Sequence, residues 1–250
     1  MIELAEAWQH PDWDNLPRRP LDRRAGRGDV MLIDHPRGPV VARDYRHGGL
    51  RRLVLARHFA AGQRAAEEYR IHRHAFERGL ATPEPIGWAR QPTGLPGLFT
   101  MTYYSAWLPD SIGLASALRQ PGGARRWTRP VAALLKQLCD SDIWHSDLNL
   151  NNWLIGDGRV WLIDFDRGRL PHQLDGEVFL VKALNRMSRS AGKLGLRLSP
   201  RALHRFVLEC CVQFGCEPRA VLAQVKPPPV DPGFFREIRW KIFGGWRKIG

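Results

Sequence analysis

The 250 residues are enough to bury a complete hydrophobic core, either in one domain or in two lobes. Hydrophobic residues make up 44% of the chain and charged residues 25%, which are globular values, and no apolar run reaches the length of a membrane span. The net charge of +13 predicts an anionic partner, but no recognisable motif or stacking array supports specific binding of a nucleic acid.

The N-terminal region carries a glycine pair between a basic segment and two predicted strands. Residues 1–25 combine tryptophans with arginines and fit either an arm or an edge strand, and they lack the apolar core of a signal peptide, so we expect a cytosolic protein. Gly26 and Gly28 precede an apolar strand over residues 30–33. Glycines let backbone N–H groups cradle phosphates, so this is either a nucleotide-binding loop or an ordinary turn. A second predicted strand ends at Arg43.

Three further elements lead to the centre of the chain. Helical spacing over residues 63–78 predicts a helix, which the glycine and prolines of residues 79–85 bring to an end. Residues 98–103 are predicted to form a strand that ends at a linker between lobes. Apolar residues recur at three- and four-residue steps over residues 131–138 and predict a buried helix that leads into residues 142–168.

The segment over residues 142–168 has the order and spacing of a kinase catalytic loop. His-x-Asp-Leu is followed by an Asn five residues after the Asp, and a short hairpin then leads to Asp-Phe-Asp. Phosphoryl transfer explains this set, because one carboxylate orients the acceptor hydroxyl while an amide and a second carboxylate hold metal ions on ATP. We assign Asp147 as the catalytic base and Asn152 and Asp164 as Mg²⁺ ligands, with His145 as a support for the loop. A solvated surface hairpin is the alternative.

A kinase also requires a strand cation on the ATP phosphates and a helix carboxylate that holds this cation. Because no lysine precedes Lys136, Arg43 is the candidate cation, and its guanidinium can bind phosphate and carboxylate together. Glu68 is the predicted partner and Glu67 the second choice. With the glycine pair, Arg43 and Glu68 form the predicted nucleotide-binding set. The alternative is an exposed strand arginine and a solvated carboxylate.

Two basic stretches follow the catalytic segment. Residues 182–198 are predicted to be helical. Their basic side chains form either a solvated face or part of a site for an anionic acceptor. Residues 234–250 place apolar side chains on one helical side with cations around them, the pattern of an interfacial helix on an anionic membrane surface. Packing of this tail against the second lobe is the alternative.

On these motifs the chain resembles the bacterial 3-deoxy-D-manno-octulosonic acid (Kdo) kinases of lipopolysaccharide biosynthesis, which are related to the core heptose kinases. The resemblance covers roughly residues 25–195. The segments that carry it are Gly26-Arg-Gly28, Val41-Ala-Arg43, Tyr45-Arg-His-Gly-Gly-Leu50, Glu68-Tyr69, residues 79–85, His145-Ser-Asp-Leu-Asn-Leu-Asn-Asn152, Asp164-Phe-Asp166 and Asn185-Arg186.

The resemblance implies an α+β, protein-kinase-like fold with two lobes. A small antiparallel sheet with one helix is expected over residues 1–104, and a mainly helical lobe over residues 105–250. The implied reaction is the ATP- and Mg²⁺-dependent phosphorylation of the 4-hydroxyl of Kdo on Kdo-lipid A precursor, an anionic glycolipid. The protein is expected to bind peripherally to the cytoplasmic face of the bacterial inner membrane. The alternatives are a kinase-like phosphotransferase for a core heptose, an aminoglycoside or a protein, and a non-catalytic kinase-like module that docks on membranes.

Overall fold

A computed structural model describes residues 1–21, 30–46, 58–60, 63–94 and 96–226 of the chain. The described residues form two compact units, one within Met1–Tyr69 and Glu84–Trp107, the other within Arg70–Pro83 and from Leu108 onwards. The lobe boundary that the sequence predicts after residue 104 stays a prediction. The predicted glycine pair, Gly26 and Gly28, and the basic tail over residues 234–250 lie outside the described residues.

The first unit is built on one antiparallel sheet. Its described strands are β1 (Ile2–Leu4), β2 (Arg18–Pro20), β3 (Val30–His35), β4 (Gly38–Asp44), β5 (Phe59–Ala60), β6 (Pro85–Pro92) and β7 (Leu98–Ala106). They are arranged in the order β1-β6-β7-β4-β3-β2, and β5 pairs with β7. The structure confirms the strands predicted over residues 30–33, 40–43 and 98–103, which fall in β3, β4 and β7.

Both faces of this sheet are packed, because successive side chains of a strand point to opposite faces. Tyr104 of β7 lies in an apolar cluster with Trp8 and Trp13, whereas its neighbour Tyr103 lies in a second cluster with Tyr69. Trp8 and Trp13 belong to two short 3-10 helices and are each 5% exposed. Strands β1 and β2 lie at the two ends of the main strand order, so the N-terminal residues form edge strands rather than an arm.

Helix α1 (Arg64–Glu77) confirms the helix predicted over residues 63–78. Its buried positions recur at one-, three- and four-residue steps and are Ala65, Glu68, Tyr69, Ile71, His72 and Ala75. The helix ends just before Gly79, as predicted, and the φ of +74° at Gly79 is the left-handed conformation that glycine adopts without strain. The Leu80 N–H then donates to the Ala75 carbonyl at 3.1 Å and closes the last turn.

The second unit is mainly helical. Its remaining elements are β8 (Ile112–Gly113), α2 (Leu114–Arg119), α3 (Gly123–Asp140), β9 (Trp153–Gly156), β10 (Arg159–Leu162), α4 (Gly176–Lys193), α5 (Pro200–Phe214) and α6 (Pro218–Gln224). Strands β8, β9 and β10 form a small antiparallel sheet with β9 in the middle. The predicted buried helix is α3, whose Leu134, Leu135 and Leu138 lie in the main apolar cluster. No helix of the described residues is both long enough and apolar enough to cross a membrane.

Helix α4 differs from the basic helical stretch predicted over residues 182–198. It begins earlier, because the Asp175 carboxylate accepts the Val178 N–H at 2.9 Å and caps the first turn. It also ends at Lys193, so the prediction was wrong for the last five residues. The reason is Gly195, whose φ of +60° stops the helix.

Candidate active site

The loop between α3 and β9 is fixed by His145, which is 4% exposed. Its Nδ1 accepts the Asp147 N–H at 3.2 Å, and its ring lies 5.1 Å from the ring of Phe165. Burial lowers the pKa of His145, and the negative charges of Asp164 and Asp147 oppose this shift without reversing it. A neutral imidazole that accepts a backbone proton suits a supporting role, as the sequence predicts.

Asn152 is tied to the backbone of the predicted catalytic base. It is 7% exposed, and its Nδ2 donates to the Asp147 carbonyl oxygen at 2.8 Å. This bond fixes the amide plane, so that its nitrogen serves the loop and its Oδ1 is the atom suited to a hard cation. The Ile163 N–H donates to the Asn152 carbonyl at 2.9 Å, which places the residue before Asp164 directly beside Asn152.

Asp164 follows β10 with a φ of +68°. This left-handed conformation is uncommon for a residue with a side chain, but aspartate tolerates it better than most. The next residue, Phe165, is fully buried and stacks on His72 with the ring centroids 4.6 Å apart. The turn at Asp164 therefore lets Phe165 enter the core, while the Asp164 carboxylate stays half-buried.

A buried hydroxyl connects His72 to the end of β10. Thr82 Oγ1 donates to the Leu162 carbonyl at 2.8 Å and lies 2.6 Å from His72 Nε2. Gly168 closes the segment, since a Cβ at this position would lie 3.0 Å from the Phe165 carbonyl oxygen and 3.1 Å from Ile71 Cγ2. The Asp-Phe-Asp segment is thus held by the packing of Phe165 on His72 and by the close packing of Gly168 against Ile71.

Asp147 is paired with Arg186 of α4. Arg186 Nε donates to Asp147 Oδ1 at 3.0 Å, and Arg186 Nη2 donates to the same oxygen. Partial burial pushes the pKa of Asp147 up, but the hydrogen bonds from Asn149 and Arg186 and the charge of Arg186 outweigh it and leave the pKa below its ordinary value. Asp147 is therefore ionised at neutral pH.

The first unit contains the ion pair that the sequence predicts between β4 and α1. Arg43 Nη2 lies 2.6 Å from both carboxylate oxygens of Glu68, which is 1% exposed. Tyr45 donates its hydroxyl proton to the same carboxylate, and the Arg43 guanidinium lies over the rings of Tyr45 and Tyr103 at 4.9 and 5.8 Å. The second choice, Glu67, is exposed. Whether Arg43 and Glu68 bind a nucleotide stays a prediction.

The donors present suit magnesium. No cluster of three or more His, Cys, Asp or Glu side chains occurs among the described residues, so the structure offers no site with a full protein ligand set there. Magnesium bound with a nucleotide needs less than this, since one or two carboxylates and the phosphates complete its shell. The Asn152 amide and the Asp164 carboxylate, carried by neighbouring backbone segments, meet that requirement.

The family assignment follows from a sequence comparison. Residues 11–208 match the family described as lipopolysaccharide kinase (Kdo/WaaP) family, and this span is most of the chain. The chain belongs to the lipopolysaccharide kinase (Kdo/WaaP) family. Within this kinase family, the chain is 31% identical over 183 residues to the 3-deoxy-D-manno-octulosonic acid kinase of Xanthomonas campestris pv. campestris strain B100, covering 70% of each protein. It is 28% identical over 163 residues to the enzyme of the same name from Vibrio cholerae serotype O1, covering 63% of this chain and 68% of the relative.

The fold of this kinase agrees with the assignment. A solved structure described as WaaP in complex with acyl carrier protein superposes with a TM-score of 0.59 and covers 89% of this chain and 92% of its own. The sequences are 16% identical there, so the likeness concerns the fold alone. The predicted α+β, kinase-like fold class is confirmed.

The contact between Arg186 and Asp147 was not predicted from the sequence. Arg186 lies in the predicted basic stretch over residues 182–198, but its pairing with Asp147 joins residues 39 positions apart, and no local pattern predicts such a contact. The Thr82 bridge between α1 and β10 was missed for the same reason. Two signals marked this part of α4: the Asn185-Arg186 pair of the family resemblance and the basic stretch over residues 182–198.

Proposed function

We propose that the protein transfers the γ-phosphoryl group of ATP to the 4-hydroxyl of Kdo on Kdo-lipid A precursor. The observation that carries this proposal is the geometry around Asp147. Its backbone is bonded to Asn152, its carboxylate is held by Arg186, and its lowered pKa keeps it ionised. The curated relatives named as Kdo kinases support the acceptor.

Asp147 would orient the acceptor hydroxyl and take its proton as the new P–O bond forms. A carboxylate with a lowered pKa is a weak base, so its main contribution is the position of the hydroxyl. This suits phosphoryl transfer, whose loose transition state depends more on alignment and charge stabilisation than on a strong base. Arg186 keeps the carboxylate in one orientation while the acceptor binds.

Asn152 and Asp164 would hold magnesium, which supplies charge stabilisation to the phosphate oxygens when it is bound. Arg43, fixed by Glu68 and Tyr45, would contact the nucleotide phosphates in the role that lysine fills in most kinases. An arginine can keep Glu68 with one nitrogen and present others to phosphate, because its guanidinium carries five donors. Gly26 and Gly28 remain the proposed phosphate loop.

The proposed location is the cytoplasmic face of the bacterial inner membrane. The acceptor is a glycolipid of a bilayer, and the chain carries a net charge of +13 that favours an anionic surface. Deletion of residues 234–250 should weaken binding to vesicles that contain anionic lipid while nucleotide affinity stays unchanged. Equal vesicle binding by the full-length and shortened chains would contradict this part of the proposal.

The acceptor is tested by incubating the protein with Mg²⁺-ATP and one of four substrates: Kdo-lipid A precursor, a heptosylated core lipid, an aminoglycoside or casein. We expect one added phosphate on the first substrate by mass spectrometry, at the 4-hydroxyl by phosphorus–proton correlation in NMR. Phosphate found only on the heptosylated lipid, the aminoglycoside or casein would assign the protein to another kinase activity. No phosphate on any substrate would favour the non-catalytic alternative.

The role of Asp147 is tested by Asp147→Asn, with Asp157→Asn as the matched control. Asp157 is exposed in the β9–β10 hairpin and has a φ of +50°, which asparagine also tolerates. We expect Asp147→Asn to lower turnover by about 10²–10⁴-fold with nucleotide affinity retained. The control should keep wild-type turnover. Unchanged turnover in Asp147→Asn would remove Asp147 from the mechanism.

A further inference from the structure

A basic cavity lies beside Asp147 in the second unit. Its volume is about 350 Å³, and it is lined by the start of the catalytic loop and by one face of α4. Among the described residues that line it, four are basic and none is acidic. The basic residues are Lys182, Arg186, Arg189 and Lys226.

Three of these cations lie on one face of α4 because they follow at four- and three-residue steps. Lys182, Arg186 and Arg189 are therefore neighbours on the helix surface, where like charges destabilise the helix. Lys182 Nζ also lies 4.9 Å from the centre of the Trp144 ring, which lines the same cavity. An aromatic face beside cations suits a sugar that carries a negative charge.

Lys226 reaches the cavity from beyond α6 and is fixed there by α4. The Lys226 N–H donates to Asn185 Oδ1 at 2.8 Å, and the Lys226 carbonyl accepts from Ser188 Oγ at 2.8 Å. Asn185 Nδ2 also donates to the Gln224 carbonyl at 3.2 Å. Three hydrogen bonds thus place a fourth cation next to three others, although separation would lower their repulsion.

Among the described residues, the cations of the cavity other than Arg186 have no acidic partner. Within the described part of the chain, no carboxylate forms an ion pair with Lys182, Arg189 or Lys226, whereas Arg186 is paired with Asp147. A solvated basic face would not need an anchored Lys226 or a cavity that adjoins the catalytic loop. Convergent cations of this kind stabilise a bound anion through their combined field.

We propose that this cavity binds an oxyanion of the phosphate acceptor, next to the hydroxyl that Asp147 orients. The inference rests on the proposed function and adds the residues that select the acceptor. The oxyanion has two possible sources: the carboxylate of the Kdo sugar and a phosphate of the lipid A part. The volume lies at the lower end of the range for small-molecule sites, about 300–1,000 Å³, which suits one sugar residue.

The test uses Lys182→Gln and Arg189→Gln, with Arg205→Gln as the matched control. Arg205 is exposed on α5 and does not line the cavity, so its variant removes one positive charge elsewhere in the same unit. We expect each cavity variant to raise KM for Kdo-lipid A precursor roughly 10- to 100-fold, since hydrogen bonds to charged groups contribute about that factor. KM for ATP should stay at the wild-type value. The control should change neither constant.

Two pairs of acceptors distinguish the sources of the oxyanion. One pair is a Kdo glycoside and the same glycoside with its carboxylate converted to an amide. The other pair is the precursor with and without its lipid A phosphates. If the carboxylate occupies the cavity, the wild type should bind the amide more weakly than the acid. The cavity variants should bind the amide and the acid with equal affinity. If a phosphate occupies the cavity, removal of the lipid A phosphates should weaken binding to the wild type but not to the cavity variants.

A direct binding measurement keeps this inference separate from the proposed function. Calorimetric titration of the wild type with Kdo and with inorganic phosphate should show binding that Lys182→Gln and Arg189→Gln weaken and Arg205→Gln does not. Cavity variants that match the control in both titration and KM would overturn the inference while leaving the kinase activity in place. Absence of turnover on any Kdo acceptor, with the titration result intact, would overturn the proposed function but not the anion site.

Discussion

Replacing Arg186 with methionine should destabilise the second unit and disturb the carboxylate of Asp147, the proposed catalytic base. Methionine keeps the unbranched apolar stem of arginine but donates no hydrogen bond to Asp147. In the wild type, Asp147 Oδ1 accepts from both Nε and Nη2 of Arg186. The variant leaves the partly buried carboxylate with the hydrogen bond from Asn149, so its pKa should rise.

The size of the loss follows from the exposure of the pair. A hydrogen bond to a charged group contributes about 1.5–3 kcal/mol when it is shielded from water. The side chains of Arg186 and Asp147 are 35% and 37% exposed, so solvent screens their interaction. We therefore expect the variant to lose about 1–2 kcal/mol of the free energy of unfolding at neutral pH.

The stability that the Arg186–Asp147 pair contributes should depend on pH. The folded-state pKa of Asp147 lies below its ordinary value of 3.8, so the pair contributes its full stability above that value. The contribution disappears as the pH falls through the lower, folded-state pKa. Urea unfolding of wild type and Arg186→Met over a pH series should show a constant difference near neutral pH that shrinks in acid. Equal midpoints at neutral pH, or a difference that persists in strong acid, would refute the reasoning.

Turnover provides a second measurement on the same variant. A carboxylate that is no longer held in one orientation should lower kcat, because a displacement of about 1 Å can cost a hundredfold in rate. The acid limb of the pH profile should also move to higher pH, since Asp147 becomes easier to protonate. Arg186→Lys should recover part of both effects through its charge, but not the two-donor contact.

Two further predictions concern the packing that supports the Asp-Phe-Asp segment. Gly168→Ala should lower the free energy of unfolding by about 1–3 kcal/mol, because the added Cβ would meet the Phe165 carbonyl at 3.0 Å. Gly113→Ala is its control, since a Cβ there meets nothing within 4 Å, and equal melting temperatures of the two variants would contradict the clash. Thr82→Val should lower the free energy of unfolding by about 1–3 kcal/mol, because a methyl group replaces the buried hydroxyl that contacts His72 Nε2 and donates to the Leu162 carbonyl. Thermal unfolding of Thr82→Val indistinguishable from that of Thr82→Ser would argue against this bridge.

Local patterns were enough to predict the elements that carry the site. The two- and three- to four-residue periodicities of strands and helices depend only on nearby residues, which is why α1, α3, β4 and β7 were found from the sequence. The segment over residues 142–168 was assigned as a catalytic loop because phosphoryl transfer constrains residue types at fixed spacing over a short stretch. The Arg43–Glu68 pair joins two such elements, and the absence of an early lysine was the signal for Arg43.

The interactions that were missed depend on contacts between distant parts of the chain. The sequence leaves residues 1–25 as either an arm or an edge strand, and only the sheet shows that Trp8 and Trp13 belong to the core. The predicted stretch runs past Lys193 and includes Arg197, but Gly195 adopts a left-handed conformation that ends α4 before this residue. The anchoring of Lys226 by Asn185 also depends on tertiary structure, since the two residues are 41 positions apart.

The charge environment of Asp147 is set from α4 rather than from the catalytic loop. Ser146 stands immediately before Asp147, where many kinases have an arginine, and the cation that contacts Asp147 comes from Arg186. The same helix also presents Lys182 and Arg189 to the basic cavity. Neighbouring substitutions on α4 should therefore differ in their kinetic effects. Loss of Arg186 should lower kcat through Asp147 in addition to any effect on acceptor binding, whereas loss of Lys182 or Arg189 should act on KM for the acceptor alone. A uniform positive field would not produce this difference between residues of one helix face. In such a field, removal of any one cation would weaken acceptor binding to the same extent.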